Sequence, residues 1–249
     1  MHRYWSKAEN VKSVKSHHII AGYDILVAEN VRLKIETYYQ HLLNIPVEPV
    51  PSSYSAINSG STWGIDYRDS MVNKGKGKNY GIELTLEKYF STNYYYLLTA
   101  SLFESKYKAS DNQWRNSMFN NNYVINLLAG KEIKIKERQT LSFDIKGTFA
   151  GGQRKTPIDT VKSNTGSQFY TAYFDNEAYS QQFAPYLKID FKIAYRLNGR
   201  RVSQEWQLYI ENITDHKNAL MESYNKKNHQ IETIYQLGIF PMVNYRLYF

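Results

Sequence analysis

The chain contains no cysteine, so disulfide-built scaffolds, cysteine-ligated zinc and thiol catalysis are excluded at once. It also lacks a long apolar run. The longest apolar or tyrosine-rich stretch, Tyr94 to Phe103, is already broken by Thr99 and Ser101. A transmembrane helix needs about 20 mostly apolar residues, so helical membrane proteins are excluded. β-Barrels are not, because a barrel hides its lipid face in alternate residues. Methionine and proline are scarce, at 5 and 6 in 249 residues, whereas tyrosine is abundant at 23. Hydrophobic residues make up 42% and charged residues 22%, a balance that does not suit a disordered chain.

No stripe of one charge sign runs through the sequence, although the formal net charge is +8. The basic residues fall in separate clusters: Lys12 and Lys15, Lys74-Gly75-Lys76-Gly77-Lys78, Arg154-Lys155, Arg200-Arg201 and Lys226-Lys227. Most lie between apolar segments, the pattern of solvated loop charge, so nucleic acid is not an expected partner. The first ten residues carry no apolar core and do not read as a secretory signal.

Period-two alternation dominates what is present. Val31-Arg32-Leu33-Lys34-Ile35-Glu36 alternates apolar and charged residues strictly, as do Tyr80 to Glu87, Leu141 to Lys146 and Leu187 to Ile193. On a helix those charges would encircle the axis, whereas on a strand they all take one face. The pattern predicts an all-β chain, an antiparallel meander of about nine long strands. They run His17 to Leu26, Val31 to Leu43, Lys78 to Tyr89, Tyr94 to Lys108, Phe119 to Lys134, Thr140 to Ala150, Pro185 to Leu197, Gln204 to Asn212 and Tyr235 to Phe249. Several reach about 11 residues, the length that crosses a bilayer at a tilt. The connections alternate between short and long without exception, as the periplasmic turns and extracellular loops of outer-membrane barrels do. With Phe249 at the periplasmic side, every long loop lies outside.

One face of these strands is apolar, with aromatic residues gathered near the row ends: Phe90, Tyr94, Tyr195 and Tyr245 at the short-turn side, Tyr39, Phe149 and Tyr235 at the other. Two aromatic girdles around an apolar band account for the tyrosine surplus. The opposite face carries Arg32, Lys34, Glu36, Glu83, Glu87, Asp144, Lys146, Lys188, Asp190 and Arg246, the expected lumen-facing set. On the lipid face each such charge costs about 2–4 kcal/mol near the midplane.

Four segments resemble TonB-dependent outer-membrane receptors. Leu208-Tyr209-Ile210-Glu211-Asn212-Ile213-Thr214-Asp215 is similar to that family's penultimate strand with its Asn-centred turn. Pro241 to Phe249 is similar to its terminal strand with a last aromatic. Asn79 to Leu84 resembles a recurrent Gly-x-Glu strand, and Gly151 to Arg154 followed by Thr156 to Asp159 resembles a common loop opening. The resemblance implies the carboxyl-terminal part of a barrel of about 22 strands around a plug, with residues 1–249 forming a partial barrel domain without the plug and first strands. It implies a Gram-negative outer-membrane location and energised uptake of a siderophore, cobalamin or glycan-type ligand. The implied partners are the TonB system through the absent plug, the barrel-assembly machinery, and outer-membrane lipid and lipopolysaccharide. Tyr245, Leu247 and Phe249 would form the assembly signal. Tyr54, Trp63, Tyr67, Trp114, Tyr170 and Tyr173, in the long loops, are candidate contacts for a small molecule or oligosaccharide. A soluble antiparallel module that binds a ligand or carbohydrate is the alternative, and it requires two sheets facing across a dry core.

Other motifs carry less. His17, His18, His41, His216 and His229 lack ligand spacing. Asp66 and Asp69 lack a 12-residue calcium pattern. Lys74 to Lys78 lacks Walker spacing, and the Asn212-Ile213-Thr214 sequon reads better as a turn. No cofactor is implied, and no Ser/His/Asp or Cys/His grouping suggests an enzyme.

Overall fold

In the computed structural model, residues 11–59, 68, 70–166 and 171–249 are described. Lys15–Ala28 (β1), Val31–Val47 (β2), Val72–Ser91 (β3), Tyr94–Lys108 (β4), Trp114–Asn116 (β5), Tyr123–Lys136 (β6) and Gln139–Ala150 (β7) come first. Arg154–Lys155 (β8), a short helix Thr160–Thr165 (α1), Gln181–Gln182 (β9), Tyr186–Asn198 (β10) and Ser203–Glu211 (β11) follow. Ala219–Asn225 (β12), Gln230–Tyr235 (β13) and Phe240–Tyr248 (β14) complete the chain. One sheet runs β1-β2-β3-β4-β6-β7-β10-β11-β14, every pair antiparallel, with β5 added beside β4. The nine long strands form a meander, a partial transmembrane β-barrel. No second sheet covers either face among the described residues.

Register explains why the sequence alternates. Leu33, Leu86, Leu98 and Leu127 lie opposite one another in one row, as do Ile145, Phe191 and Ile210 in another. The apolar residues of all nine strands therefore share a face. On it Ile82 is exposed and Leu33, Leu84, Phe143, Ile189 and Phe191 are half-buried, whereas Leu237, also exposed, lies between β13 and β14 and outside the sheet. None is buried against other protein.

Aromatic pairs border this band. Tyr195, Trp206 and Tyr245 stack in sequence at 5.9 and 5.6 Å near the short turns. Tyr39 stacks on Tyr80 at 6.4 Å, and Tyr123 packs on Phe149 at 5.3 Å, near the long loops. Trp206, Tyr80 and Tyr123 join the expected rows. Phe90 leaves its row: past the irregularity at Lys88 its ring lies against Tyr95.

Several boundaries differ from the sequence-based expectation: β3 begins at Val72 rather than Lys78, so Lys74 to Lys78 lie in a strand and not in a loop, and β2 continues to Val47 rather than ending at Leu43. The last strand begins at Phe240, because the alternation at Tyr235 belongs to the β12–β13 hairpin. Asp215 breaks the run by accepting the Ile239 N–H at 3.0 Å. The β6 strand begins at Tyr123 because Asn122, with φ 68°, turns the chain just before it. The turns follow turn chemistry: Thr92 and Asn93 both have positive φ, as a two-residue hairpin of the primed type needs.

A band this apolar and open exceeds what a soluble monomer exposes, and the sequence-based expectation is that it faces hydrocarbon. In the full-length protein folded into lipid vesicles, Leu84→Arg should cost about 2–4 kcal/mol of folding free energy. Thr85→Arg, one residue along on the charged face, should cost under about 1 kcal/mol. Equal costs in a denaturant titration would refute the face assignment.

Candidate functional site: a cleft under a braced loop layer

The buried core of the chain lies among the loops rather than in the strand band. Val47, Tyr107 and Ala109 are buried together, with Ile57, Val72 and Tyr179 packed on them. Tyr107 meets Tyr179 edge-on at 6.1 Å and donates its hydroxyl to the Ser53 carbonyl at 3.0 Å. One strand residue therefore ties two long loops, 48–71 and 151–185, to the top of the sheet.

Polar side chains complete the brace. Arg115 donates to both Asp111 oxygens, at 3.0 and 2.6 Å, and to the Asn176 carbonyl at 3.3 Å. Asn120, fully buried, accepts the Ser105 N–H and donates to Glu104 and Asn116. Arg154 reaches the Asn120 carbonyl at 3.0 Å and Asn122 at 2.6 Å, while Lys155 pairs with Glu222 of β12. Gly151 and Gly152 allow the close approach beneath: a Cβ on either would sit within 1.8 Å of the Asn121 carbonyl oxygen or 1.9 Å of that of Phe183. At the far side, Asp190 is buried and accepts the Asn212 N–H at 2.9 Å and the Tyr209 hydroxyl at 3.0 Å. Asn212, with φ 48°, spends its side chain on His216 of its own turn. The sequon asparagine is thus a buried turn residue.

Two adjoining cavities open on the charged face just below these loops. The first, about 480 Å³, is lined by His18, Glu36, Tyr38, Gln40, Asn79 and Glu83, with Ile57 and Ser117 from the loops. The second, about 370 Å³, is lined by Val124, Ala150, Gln153, Phe183, Tyr186 and Asn218. Phe103 and Phe119 border both and form the partition between them. Aromatic faces beside amides, hydroxyls and carboxylates suit a ligand with a flat apolar part and a polar rim.

The ten charged residues expected on one face do share it by register: Arg32, Lys34 and Glu36 on β2, Glu83 and Glu87 on β3, Asp144 and Lys146 on β7, Lys188 and Asp190 on β10, and Arg246 on β14. Most pair across it. Arg32 lies 2.5 Å from Asp24 and 3.8 Å from Glu87, Lys192 is 2.8 Å from Asp144, and Lys188 is 2.7 Å from Glu211. Only Glu36 and Glu83 of the ten line a cavity.

The loop aromatics are placed differently. Trp63, Tyr67 and Tyr170 lie outside the described residues, as do Asp66, Asp69 and the first ten residues. Tyr54 is half-buried with the Arg68 guanidinium 4.1 Å over its ring. Trp114 is exposed, with Lys78 Nζ 4.7 Å over its ring, and Tyr173 is exposed on a bridge to Ile158. None of these three lines either cavity. The aromatic residues that do are Tyr38, Phe103, Phe119, Phe183 and Tyr186; of these, Tyr38 and Phe103 were legible as aromatics on the strand face that carries most of the charge.

No family model and no curated protein matches the sequence. Solved structures do match the backbone. The ferric yersiniabactin uptake receptor FyuA from Yersinia pestis aligns with a TM-score of 0.64 at 15% identity, covering 95% of this chain. The ferric-catecholate import receptor Fiu from E. coli K12 aligns at 0.59 and 14% identity, covering 96%. The chain spans 30% and 28% of those two proteins.

Desolvation alone would raise the Asp111 carboxyl. The Arg115 guanidinium and the Gln113 N–H outweigh it and hold the group below its ordinary 3.8. A depressed folded value gives stability that is present above 3.8 and lost as pH falls through the lower value. Hydrogen exchange of the 105–117 backbone, corrected for the intrinsic rate, should therefore speed up only below about pH 4. Arg115→Gln should exchange there readily already at pH 7. A flat acid profile in the parent would remove this brace from the loop layer. What the loops and sheet form together is the fold of a portion of the β-barrel of TonB-dependent outer-membrane receptors.

Proposed function

We propose that this chain is the carboxyl-terminal part of the barrel of a Gram-negative outer-membrane receptor that takes up a small ligand with energy relayed by TonB. The observation that carries the reading is the nine-strand sheet with one apolar and one charged face, turns at one end and loops at the other. It aligns over 95% of its length with a ferric-siderophore uptake receptor. Both structural neighbours are named for uptake or import of ferric compounds, and that naming is what supports a siderophore over cobalamin or a glycan fragment in this reading. The plug that would meet TonB belongs to the remainder of the receptor. The charged face, with Arg32, Lys34, Glu36, Glu83, Glu87, Asp144, Lys146, Lys188, Asp190 and Arg246, would line the lumen around it. The neighbours are transport receptors, and transport needs only positioning groups here, so no catalytic role is assigned.

In this orientation the cleft at Phe103 and Phe119 lies beneath the extracellular loops, where a ligand passes from the mouth toward the plug. Tyr54 and Tyr173 would make first contact at the loops, Trp63, Tyr67 and Tyr170 stay candidate contacts from sequence, and Trp114, turned outward onto Lys78, leaves the set. In the full-length receptor, Phe103→Ala combined with Phe119→Ala should weaken ligand binding about tenfold or more, the loss of two aromatic stacking surfaces. Ferric siderophores of catecholate and phenolate type are the ligands to test first, by uptake of radioactive iron. Unchanged uptake and affinity across such a panel, with normal surface levels, would reject the cleft as the ligand path.

The final strand is proposed to address the chain to the barrel-assembly machinery through Tyr245, Leu247 and Phe249. The first two lie in the outward row with Val243, and Phe249 follows at 96% exposure, free of packing that would explain it. Deleting Phe249 in the full-length receptor should lower its outer-membrane yield several-fold. Normal yield after membrane fractionation would leave Phe249 as one more girdle aromatic.

A further inference from the structure

We propose that the Lys74-Gly75-Lys76-Gly77-Lys78 segment of β3, with Lys106 and Lys108 of β4, is a ledge that binds the phosphates of outer-leaflet lipid headgroups. The inference rests on the outer-membrane reading above but concerns a different surface, the outward one.

Alternation along β3 separates the two residue types of this segment. The glycines face inward and are buried. A Cβ on Gly75 would lie 2.7 Å from both the Ile45 carbonyl oxygen and Val47 Cγ1, and one on Gly77 would lie 2.9 Å from Ile57 Cδ1. Here the loop core presses directly on the strand, so β3 has no inward side chains at this level. The three lysines take the outward face with Tyr80 and Ile82. Lys74 and Lys76 are exposed.

Pairing with β4 doubles the charge. Lys76 lies directly opposite Lys108, and Lys78 directly opposite Lys106. Like charges facing each other across a ladder destabilise it, so the sheet alone gains nothing from this arrangement. Lys106 has Glu104 at 3.3 Å, and Lys78 rests over the Trp114 ring. Lys74, Lys76 and Lys108 have no carboxylate within ion-pair distance among the described residues. Three uncompensated ammonium groups on adjoining positions call for an anion.

Depth identifies which anion. The Tyr39–Tyr80 stack belongs to the aromatic row at the loop end of the apolar band, and such residues sit at headgroup level. At a rise of about 3.4 Å per residue, Lys78 is roughly 7 Å, Lys76 roughly 14 Å and Lys74 roughly 20 Å farther along the strand, less once the strand is tilted. The lysines therefore stand in the phosphate layer of the leaflet that faces the long loops. Ammonium groups on flexible stems can reach phosphates at several heights, which suits a lipid surface better than one fixed ligand.

The test uses the full-length protein in nanodiscs of phosphatidylcholine containing a minor fraction of lipid A, either diphosphorylated or stripped of phosphate. Lipid retained around the protein is quantified by mass spectrometry. The parent should enrich the diphosphorylated form and not the stripped one, and the enrichment should weaken with salt. Lys74→Gln with Lys76→Gln and Lys108→Gln should reduce it about tenfold or more, since each cation near an anionic surface is worth several-fold in binding. Lys226→Gln with Lys227→Gln, at the tip of the β12–β13 hairpin, should leave it unchanged. Heat-modifiable gel migration separates the two failures: a protein that does not insert defeats the membrane reading itself. One that inserts and retains both lipids equally, or whose triple variant keeps full enrichment, defeats the ledge alone.

Discussion

Inside hydrocarbon a peptide N–H or C=O has no water to bond, so each must find its partner within the protein. This constraint governs the strand region more than any side-chain contact does. It explains why β2 and β3 run to 17 and 20 residues when soluble strands average about five or six. It explains why the meander passes from neighbour to neighbour with no crossover, since each tight turn places the next strand in register at once. It also explains why both faces of the sheet can lack a protein core. On the outer-membrane reading one face would be covered by lipid and the other by polar surroundings, so the ladder of backbone bonds, rather than packed side chains, would supply continuity. The demand goes unmet within the described residues at β1 and β14, which pair on one side only.

Beyond the membrane the constraint lifts, and the chain uses the freedom there. Positive φ values at Asn44, Asn112, Asn122, Tyr179, Asn212, Asp215 and His229 all fall outside the alternating band. Each re-aims the backbone where water or a side chain can satisfy it. The loops are nevertheless ordered, because Tyr107, Arg115, Asn120 and Arg154 join segments more than 30 residues apart. A rigid loop layer has a functional consequence. A cleft bordered by Phe103 and Phe119 keeps its shape without ligand, so less ordering entropy is spent on binding.

This division sets how much the sequence could disclose. Strand existence, register parity and the split into apolar and charged faces are local properties of a period-two chain, and Val31 to Glu36 alone displays them. The β12–β13 hairpin was hidden because Tyr235 prolongs the alternation of the last strand across a break made by Asp215 and Gly238, residues distant from one another in sequence. The cleft was hidden for a related reason. Its walls come from β1 through β4, β6, β7, β10 and β12 together with several loops, and nothing local marks Phe119 as the partner of Phe103. Exposed loop aromatics such as Trp114 looked like ligand contacts on chemistry alone, but the fold turns Trp114 toward Lys78 on the outward surface.

Charge on the two faces follows different rules, and the difference explains the peculiar spacing of this sequence. On the inner face opposite charges alternate between strands, as in Lys192 with Asp144 and Lys188 with Glu211. Such half-exposed pairs contribute little stability individually. Their effect is to keep this face near neutrality. On the outer face charge is sparse through the apolar band. Above the aromatic row lysines predominate, with Glu104 paired to Lys106, and glycine alternates with lysine on β3 because the inward positions are filled by the loop core. One five-residue motif, unremarkable as a phosphate loop, thus satisfies two demands at once: glycine for close packing inside and lysine for the headgroup layer outside.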